Sequence, residues 1–224
     1  MNKFRMNTSY KFNSFFLGCG ILMAASEVWK QWYLTFVLNG GFYQWWFFPF
    51  QLCSVPMYVL VILPRIRNFR ARNALLTFLM CYGLLGGIAV FADTSGLQYP
   101  SLCLTVHSYL WHIMLITVGV IAGITCIIES SSHILSWRQS IDGTLIYFLC
   151  CLIASLINHL FGAFGSINMF YINPYYRMQQ IGFTSLVRYC GNNLAILIYI
   201  LATVFGASIL FCVWMLISHF SCSS

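Results

Sequence analysis

Residues 102–128 read LCLTVHSYLWHIMLITVGVIAGITCII, an apolar run that contains no Asp, Glu, Lys or Arg. At about 1.5 Å of rise per residue, a helix over this run is long enough to cross a hydrocarbon core about 30 Å thick. The run neither alternates polar with apolar residues nor falls into short segments, which excludes the strands of a transmembrane barrel. Further runs of spanning length, bounded by charge, Pro, Gly or Asn, lie near 12–38, 42–63, 74–92, 141–161 and 190–219. The expected architecture is all-α, a polytopic transmembrane bundle of about six helices in which the whole chain, 1–224, is a single integral membrane domain.

Composition agrees. Of 224 residues 60% are hydrophobic and 7% charged, against about 25% charged in ordinary soluble domains. Six spans with short connections use up nearly the whole length. The net charge of +7 points to orientation in a bilayer rather than to nucleic acid. Arg65, Arg67, Arg70 and Arg72 sit together between two apolar runs, where a basic cluster faces the anionic inner leaflet, and no stacking platform accompanies them. The ten cysteines lie mostly inside apolar runs without CxxC or metal-type spacing, so Cys19, Cys81, Cys126, Cys150, Cys151 and Cys212 read as buried free thiols and no metal or cofactor is expected. The N-terminal Lys3, Arg5 and Lys11 resemble a signal peptide's charged region. The run that follows contains Glu27 and Lys30 and lacks a small-residue cleavage pattern, so it is expected to remain as the first helix.

Basic residues set the expected orientation. Lys3, Arg5, Lys11, Arg65, Arg67, Arg70, Arg72 and Arg138 fall on one side of the alternating spans, and only Arg177 and Arg188 on the other, which places both termini in the cytoplasm. Tyr43, Trp45 and Trp46 would then stand at the outer end of the second span and Trp137 at the inner side, as interface anchors or as packing residues. The echo of Gln31-Trp32-Tyr33 in Gln44-Trp45-Trp46 is too brief for a duplication, so an inverted-repeat transporter gains no support. The connection 162–189 mixes Phe164, Met169, Phe170 and Tyr171 with Gly162, Gly165 and Asn168. It is too apolar for a free loop and is expected to lie in or dip into the outer interface as a lid.

Polar side chains inside a bilayer are costly, so their depth is informative. With continuous helices, Cys53 would lie about 14 to 17 Å below the outer end of the second span, His112 about 15 Å below the outer end of the fourth, and Glu27 about 16 Å from the outer end of the first. A thiol, an imidazole and a carboxylate thus reach one level. Lys30, His107, Asn158, His159, Arg188, Asn192 and Asn193 add to the outer half, whereas the inner half of every span reads as almost wholly apolar. This asymmetry suggests a polar cavity open to the outside. The alternative is mutual satisfaction, with Glu27 and Lys30 paired at i and i+3 and the amides bridging helices.

His107 and His112 are five residues apart, so their directions differ by about 140° and metal ligation by a helical pair is weakly supported. A thiol becomes a nucleophile when a base or positive charge stabilises its thiolate. His112 is the candidate base for Cys53, and Glu27 the candidate carboxylate to orient the imidazole.

The segment Trp45-Trp46-Phe47-Phe48-Pro49-Phe50-Gln51-Leu52-Cys53-Ser54 resembles the PFxLC signature of the YwaF-like integral membrane family. His107-Ser108-Tyr109-Leu110-Trp111-His112 is similar to that family's histidine-bearing helix. Asn158-His159-Leu160-Phe161-Gly162 with Asn168-Met169-Phe170-Tyr171 and Pro174 resembles its asparagine-rich fifth span and loop, and Glu27-Val28-Trp29-Lys30 its opening motif. The resemblance covers most of the chain through short motifs. It implies a six-helix bundle with a cysteine on the second helix and a histidine on the fourth. Animal relatives of the family are described as phospholipid acyltransferases using such a cysteine, and a more remote group hydrolyses lipid esters with a threonine and histidine. The bacterial members mostly lack assigned activities.

The resulting expectation is a membrane-embedded lipid acyl-transfer or lipid-ester enzyme. Cys53 is its nucleophile, His112 its base and Glu27 the group that orients or charges the site. Gln51, His107, Asn158, His159, Asn168 and Lys30 line the substrate. Membrane lipids are the expected partners, nucleic acid is not, and the sequence sets no oligomeric state. The bacterial-type resemblance implies the cell membrane. A transporter or permease binding a solute on Glu27, Lys30, His107 and His159 is the alternative, and a third reading is an accessory subunit whose polar residues are structural.

Overall fold

The computed structural model describes residues 3–130, 135–180 and 182–223, all of it helix, turn or irregular backbone. The side chains of Lys3, Arg5 and Lys11, part of the basic bias, lie outside the described residues. Helix α1, Lys3–Trp32, continues into a π-helical turn, Tyr33–Leu38. Helix α2, Val55–Ile62, is short. Helix α3, Phe69–Phe78, passes through a π-helical turn, Leu79–Gly83, into α4, Leu84–Ala89, so that the three form one rod. Helices α5, Leu102–Glu129, and α6, Trp137–Phe161, follow. A short α7, Phe183–Cys190, precedes α8, Asn192–Ser223. Five of these segments are long and apolar enough to cross a membrane, among them Phe69–Ala89 and Leu102–Glu129.

Local sequence explains where the elements begin. Asn68 caps α3 by accepting from the Ala71 amide at 3.0 Å, and Ser136 with Gln139 forms a reciprocal capping box at the start of α6. Between α7 and α8 stands Gly191 at φ 81°, a left-handed position that ends one helix and re-aims the next.

Small residues allow the helices to approach closely. A Cβ on Gly20 would meet Leu60 at 2.9 Å, one on Gly119 would meet Leu84 at 2.8 Å, and one on Gly143 would meet Thr77 at 2.9 Å. These crossings fasten α1 to α2, α5 to α4 and α6 to α3, the packing expected where lipid, not water, surrounds the bundle. The α3–α4 rod is the hub, with 72% of its span buried, against 22% for α8 and 28% for α1 and α6. Its Tyr82 stacks on Tyr147 at 4.7 Å and donates to the Thr144 hydroxyl at 2.9 Å. The outer helices turn Leu, Ile and Phe outward, for example Leu145, Leu152, Phe205 and Phe220.

Successive long segments run in opposite directions. Arginine pairs mark one end: Arg72 at the start of the rod holds Glu129 at the finish of α5 through two bonds of 2.6 and 2.8 Å, and Arg70 holds Asp142 near the start of α6 through bonds of 2.8 and 2.6 Å. Trp137 packs on Phe211 at 5.7 Å, which brings the later half of α8 to the same end. The 39–54, 90–101 and 162–191 connections lie at the other end, where Tyr33 and Ser101 bond at 3.1 Å. There the Asp93 carboxyl, bonded by Ser95, is held below its ordinary value.

Several expectations change. The second span, 42–63, is no continuous helix: only Val55–Ile62 is α-helical, and residues 42–54 wind irregularly around Pro49 after a 3-10 turn at Trp45–Phe47. The third span starts at Phe69, so Arg70 and Arg72 belong to a helix and not to a loop. The inner half is not wholly apolar, because two carboxylates absent from that reading, Glu129 and Asp142, neutralise those arginines. The connection 162–189 holds a helix of its own, α7.

Candidate functional site

Irregular backbone at membrane depth survives only where protein groups replace water as hydrogen-bond partners. Residues 42–54 meet that requirement. Gln31 Nε2 donates to the Phe47 carbonyl at 2.6 Å, the Tyr58 hydroxyl to Pro49 at 2.8 Å and the Trp111 indole to Cys53 at 3.0 Å. The segment is thereby tied to α1, α2 and α5 together, and Cys53 sits at an elbow just ahead of α2.

The connection after α6 also turns into the bundle: Ile167, Asn168, Met169 and Phe170 are buried. Two amides grip it. Asn158 accepts from the Met169 N–H at 2.6 Å and donates to the Met169 carbonyl at 3.1 Å. Gln51 accepts from the Phe170 N–H at 2.8 Å and donates to the Asn168 carbonyl at 2.9 Å. The grip holds Phe170 and Tyr171 in left-handed conformations, φ 56° and 57°, which cost non-glycine residues on the order of 1 kcal/mol or more each. Asn168 and Asn173 tighten the turn, and Asn192 at the start of α8 holds the Pro174 and Tyr176 carbonyls at 3.0 Å each. The broken second span and the re-entrant connection after α6 therefore interlock inside one end of the bundle.

Beside them lie the ionisable groups. Glu27 is 4% exposed. Its carboxylate accepts from Lys30 Nζ at 2.8 Å and from Gln31 Nε2 at 2.7 Å. Cys53, His107 and His112 all lie within the electrostatic reach of Lys30. Glu27 and Lys30 thus pair at i and i+3, and the depth assigned to Cys53 rested on a helix that the elbow replaces.

His112 Nδ1 lies 2.7 Å from the Ser108 carbonyl. A carbonyl only accepts, so Nδ1 carries the proton and Nε2 of the neutral ring keeps its lone pair. The backbone, not Glu27, orients His112; Ser108 is four residues back on the same helix and was missed in the sequence for that reason. His107 packs in tilted contact with Trp29 and Trp111, 5.7 Å from each ring, and its Nε2 is buried without a hydrogen-bond partner.

The other expected lining residues divide. Gln51, Asn158 and Asn168 direct their amides at loop backbone and serve as braces. His159, one residue from Asn158 and about 100° around the helix, is exposed on the outside of α6 and stands apart from the cluster. A cavity of about 300 Å³ lies elsewhere, at the arginine end, lined by Asn68, Arg70, Ala71, Ala74 and Asp142. Gln31, Tyr58 and Trp111 were not predicted, although all three are polar-tipped residues inside apolar runs. Among the described residues no group of three or more His, Cys, Asp or Glu side chains could hold a metal ion.

Fold and site define a multi-pass helical membrane protein in which a broken span interlocks with a re-entrant connection beside a buried ion pair. No family model, curated protein or solved structure matches the chain.

Proposed function

We propose that the chain is a cell-membrane enzyme that transfers or hydrolyses the acyl groups of lipid esters, with Cys53 as nucleophile and His112 as base. The observation that carries this reading is the Nδ1 anchor of His112 on the Ser108 carbonyl. It leaves Nε2 with its lone pair, on the helix that Trp111 ties to the Cys53 backbone. The resemblance of PFQLC and HSYLWH to the YwaF-like family supports the same pair, and the arginine end faces the cytoplasm in this reading.

In the first step His112 Nε2 takes the Cys53 thiol proton as sulfur attacks the ester carbonyl. The ester C–O bond breaks, the leaving alkoxide takes the proton from His112, and an acyl thioester remains on Cys53. An acceptor hydroxyl or water then attacks the thioester. Lys30 supplies positive charge for the developing oxyanion, Glu27, itself held by Gln31, fixes the ammonium, and Gln51 ties the elbow to the 168–170 backbone. Lipid enters between lipid-facing helices.

Purified protein in phospholipid vesicles should form an acyl adduct at Cys53 by mass spectrometry. Cys53→Ala should abolish it and His112→Ala should slow it by about 100-fold or more. Full acyl transfer by both folded variants would end the proposal.

The interruption of the second span favours a second reading, a carrier that binds solute where a helix is broken, beside Glu27 and Lys30. Solute flux that survives Cys53→Ala and is lost in Glu27→Gln would decide for it.

A further inference from the structure

The two histidines of α5 differ in a way that divides labour between them. His112 has one ring nitrogen fixed by its own helix. His107 has a buried Nε2 with no partner, although its ring packs in tilted contact with both Trp29 and Trp111. A buried polar atom without a partner is uncommon and calls for a group to meet it. Their spacing on α5 aims the two imidazoles about 140° apart, so one substrate atom cannot engage both. Glu27 and Lys30 both lie within electrostatic reach of His107, and Trp29 is 38% exposed on the lipid-facing surface. The column Trp29, His107, Trp111 therefore runs from the lipid boundary to the indole that holds the Cys53 carbonyl at 3.0 Å.

We infer that His107 Nε2 is the receptor for the acyl acceptor, an aliphatic hydroxyl such as that of a lysophospholipid, and the base for the second half of the reaction. This inference rests on the acyl-transfer reading. The acceptor O–H bonds to Nε2. Its oxygen attacks the thioester carbonyl and its proton passes to His107. The C–S bond then breaks and the new ester leaves; His107 gives up its proton and the Cys53 thiolate takes one up, so both groups regain their starting state. A single histidine would have to serve both the thiol and the acceptor, whereas this geometry gives each its own base.

The test uses the full chain in phosphatidylcholine vesicles with a labelled acyl chain and lysophosphatidylcholine as acceptor. His107→Phe keeps the aromatic contacts and removes the nitrogen, and His107→Gln keeps a hydrogen-bonding group without the basicity. In both variants the acyl-Cys53 adduct should accumulate several-fold over wild type while transfer to the acceptor falls. The fall should be about 100-fold or more for Phe, with a raised KM for acceptor. His107→Gln should recover part of the KM but not the rate. Transfer within threefold of wild type in either variant overturns the inference and leaves Cys53 chemistry standing. Absence of any Cys53 adduct in the wild-type protein overturns the acyl-transfer reading and this inference with it.

Discussion

Gly123 faces the indole of Trp214 so closely that a Cβ would stand 2.3 Å from it, while that indole donates to the Met80 carbonyl at 3.2 Å. Gly123→Ala must displace the ring and strip a carbonyl in the π-helical turn of its partner. The expected loss is about 1 to 3 kcal/mol, the usual cost of overpacking a core, measured as the thermal midpoint in detergent by tryptophan fluorescence. Gly18 sits in α1 with nothing within 4 Å of its Cβ position. Gly18→Ala should be neutral or stabilise by up to about 1 kcal/mol, because alanine is the better helix former. A residue-scale contrast of the same kind holds at the arginine end. Arg72 is 9% and Glu129 13% exposed, so Arg72→Met leaves a carboxylate in apolar surroundings and should cost about 3 to 5 kcal/mol. Adding Glu129→Leu should return part of that loss. The same measurement on Arg70→Met should give a smaller change, since Arg70 is 60% exposed. Equal losses at the two arginines would contradict the assignment of Arg72 as the buried one.

Among the elements, the interlocked segments depend on one another. Gln51→Leu orphans the Phe170 N–H and Asn158→Leu the Met169 N–H, and each also removes one of two donors from a loop carbonyl, that of Asn168 or Met169. Each orphan costs about 1 to 3 kcal/mol, and the grip also holds two strained residues. Either substitution should therefore speed hydrogen exchange at Met169 and Phe170 by more than tenfold while leaving α3 and α5 protected. The double variant should add little, because both amides hold one stretch of chain. Undiminished protection in both single variants would show that packing alone holds the segment. The sequence carried part of this. The apolar mixture of Phe164, Met169 and Phe170 predicts a connection that dips inward, and composition alone locates five of the long helices. The break at 42–54 was hidden because Trp45, Trp46, Phe47 and Phe48 read as hydrophobic as any helix. Pro49 and Pro56 are the only local signs of it, and membrane helices tolerate proline. The donors that sustain this non-helical path, Gln31, Tyr58 and Trp111, stand 16, 9 and 58 positions from the carbonyls they bond. For the same reason the bracing by Gln51 was not legible: nothing local tells that it faces a backbone 117 residues away.

For the whole molecule the decisive property is asymmetry between its ends. Arginines and their two carboxylate partners mark one end, and the interlocked segments, the Glu27–Lys30 pair and the two histidines gather toward the other. The alternation of long segments puts exposed Arg67 and Tyr175 on opposite faces of the bilayer. The bias of basic residues predicts which face is which, since an arginine cluster is retained on the cytoplasmic side. An epitope inserted after Arg67 should be reached by antibody only in permeabilised cells, and one inserted after Tyr175 in intact cells as well. Both side chains are exposed and lie in connections rather than in helices. Access to both in intact cells would refute the alternation of spans. Access to Arg67 alone would invert the molecule, moving the candidate site to the inner leaflet, where its lipid substrates would have to be sought. The expected result places Cys53, His107 and His112 toward the outer leaflet, so a labelled phospholipid confined to the outer monolayer of vesicles with uniformly oriented protein should be consumed and one confined to the inner monolayer spared.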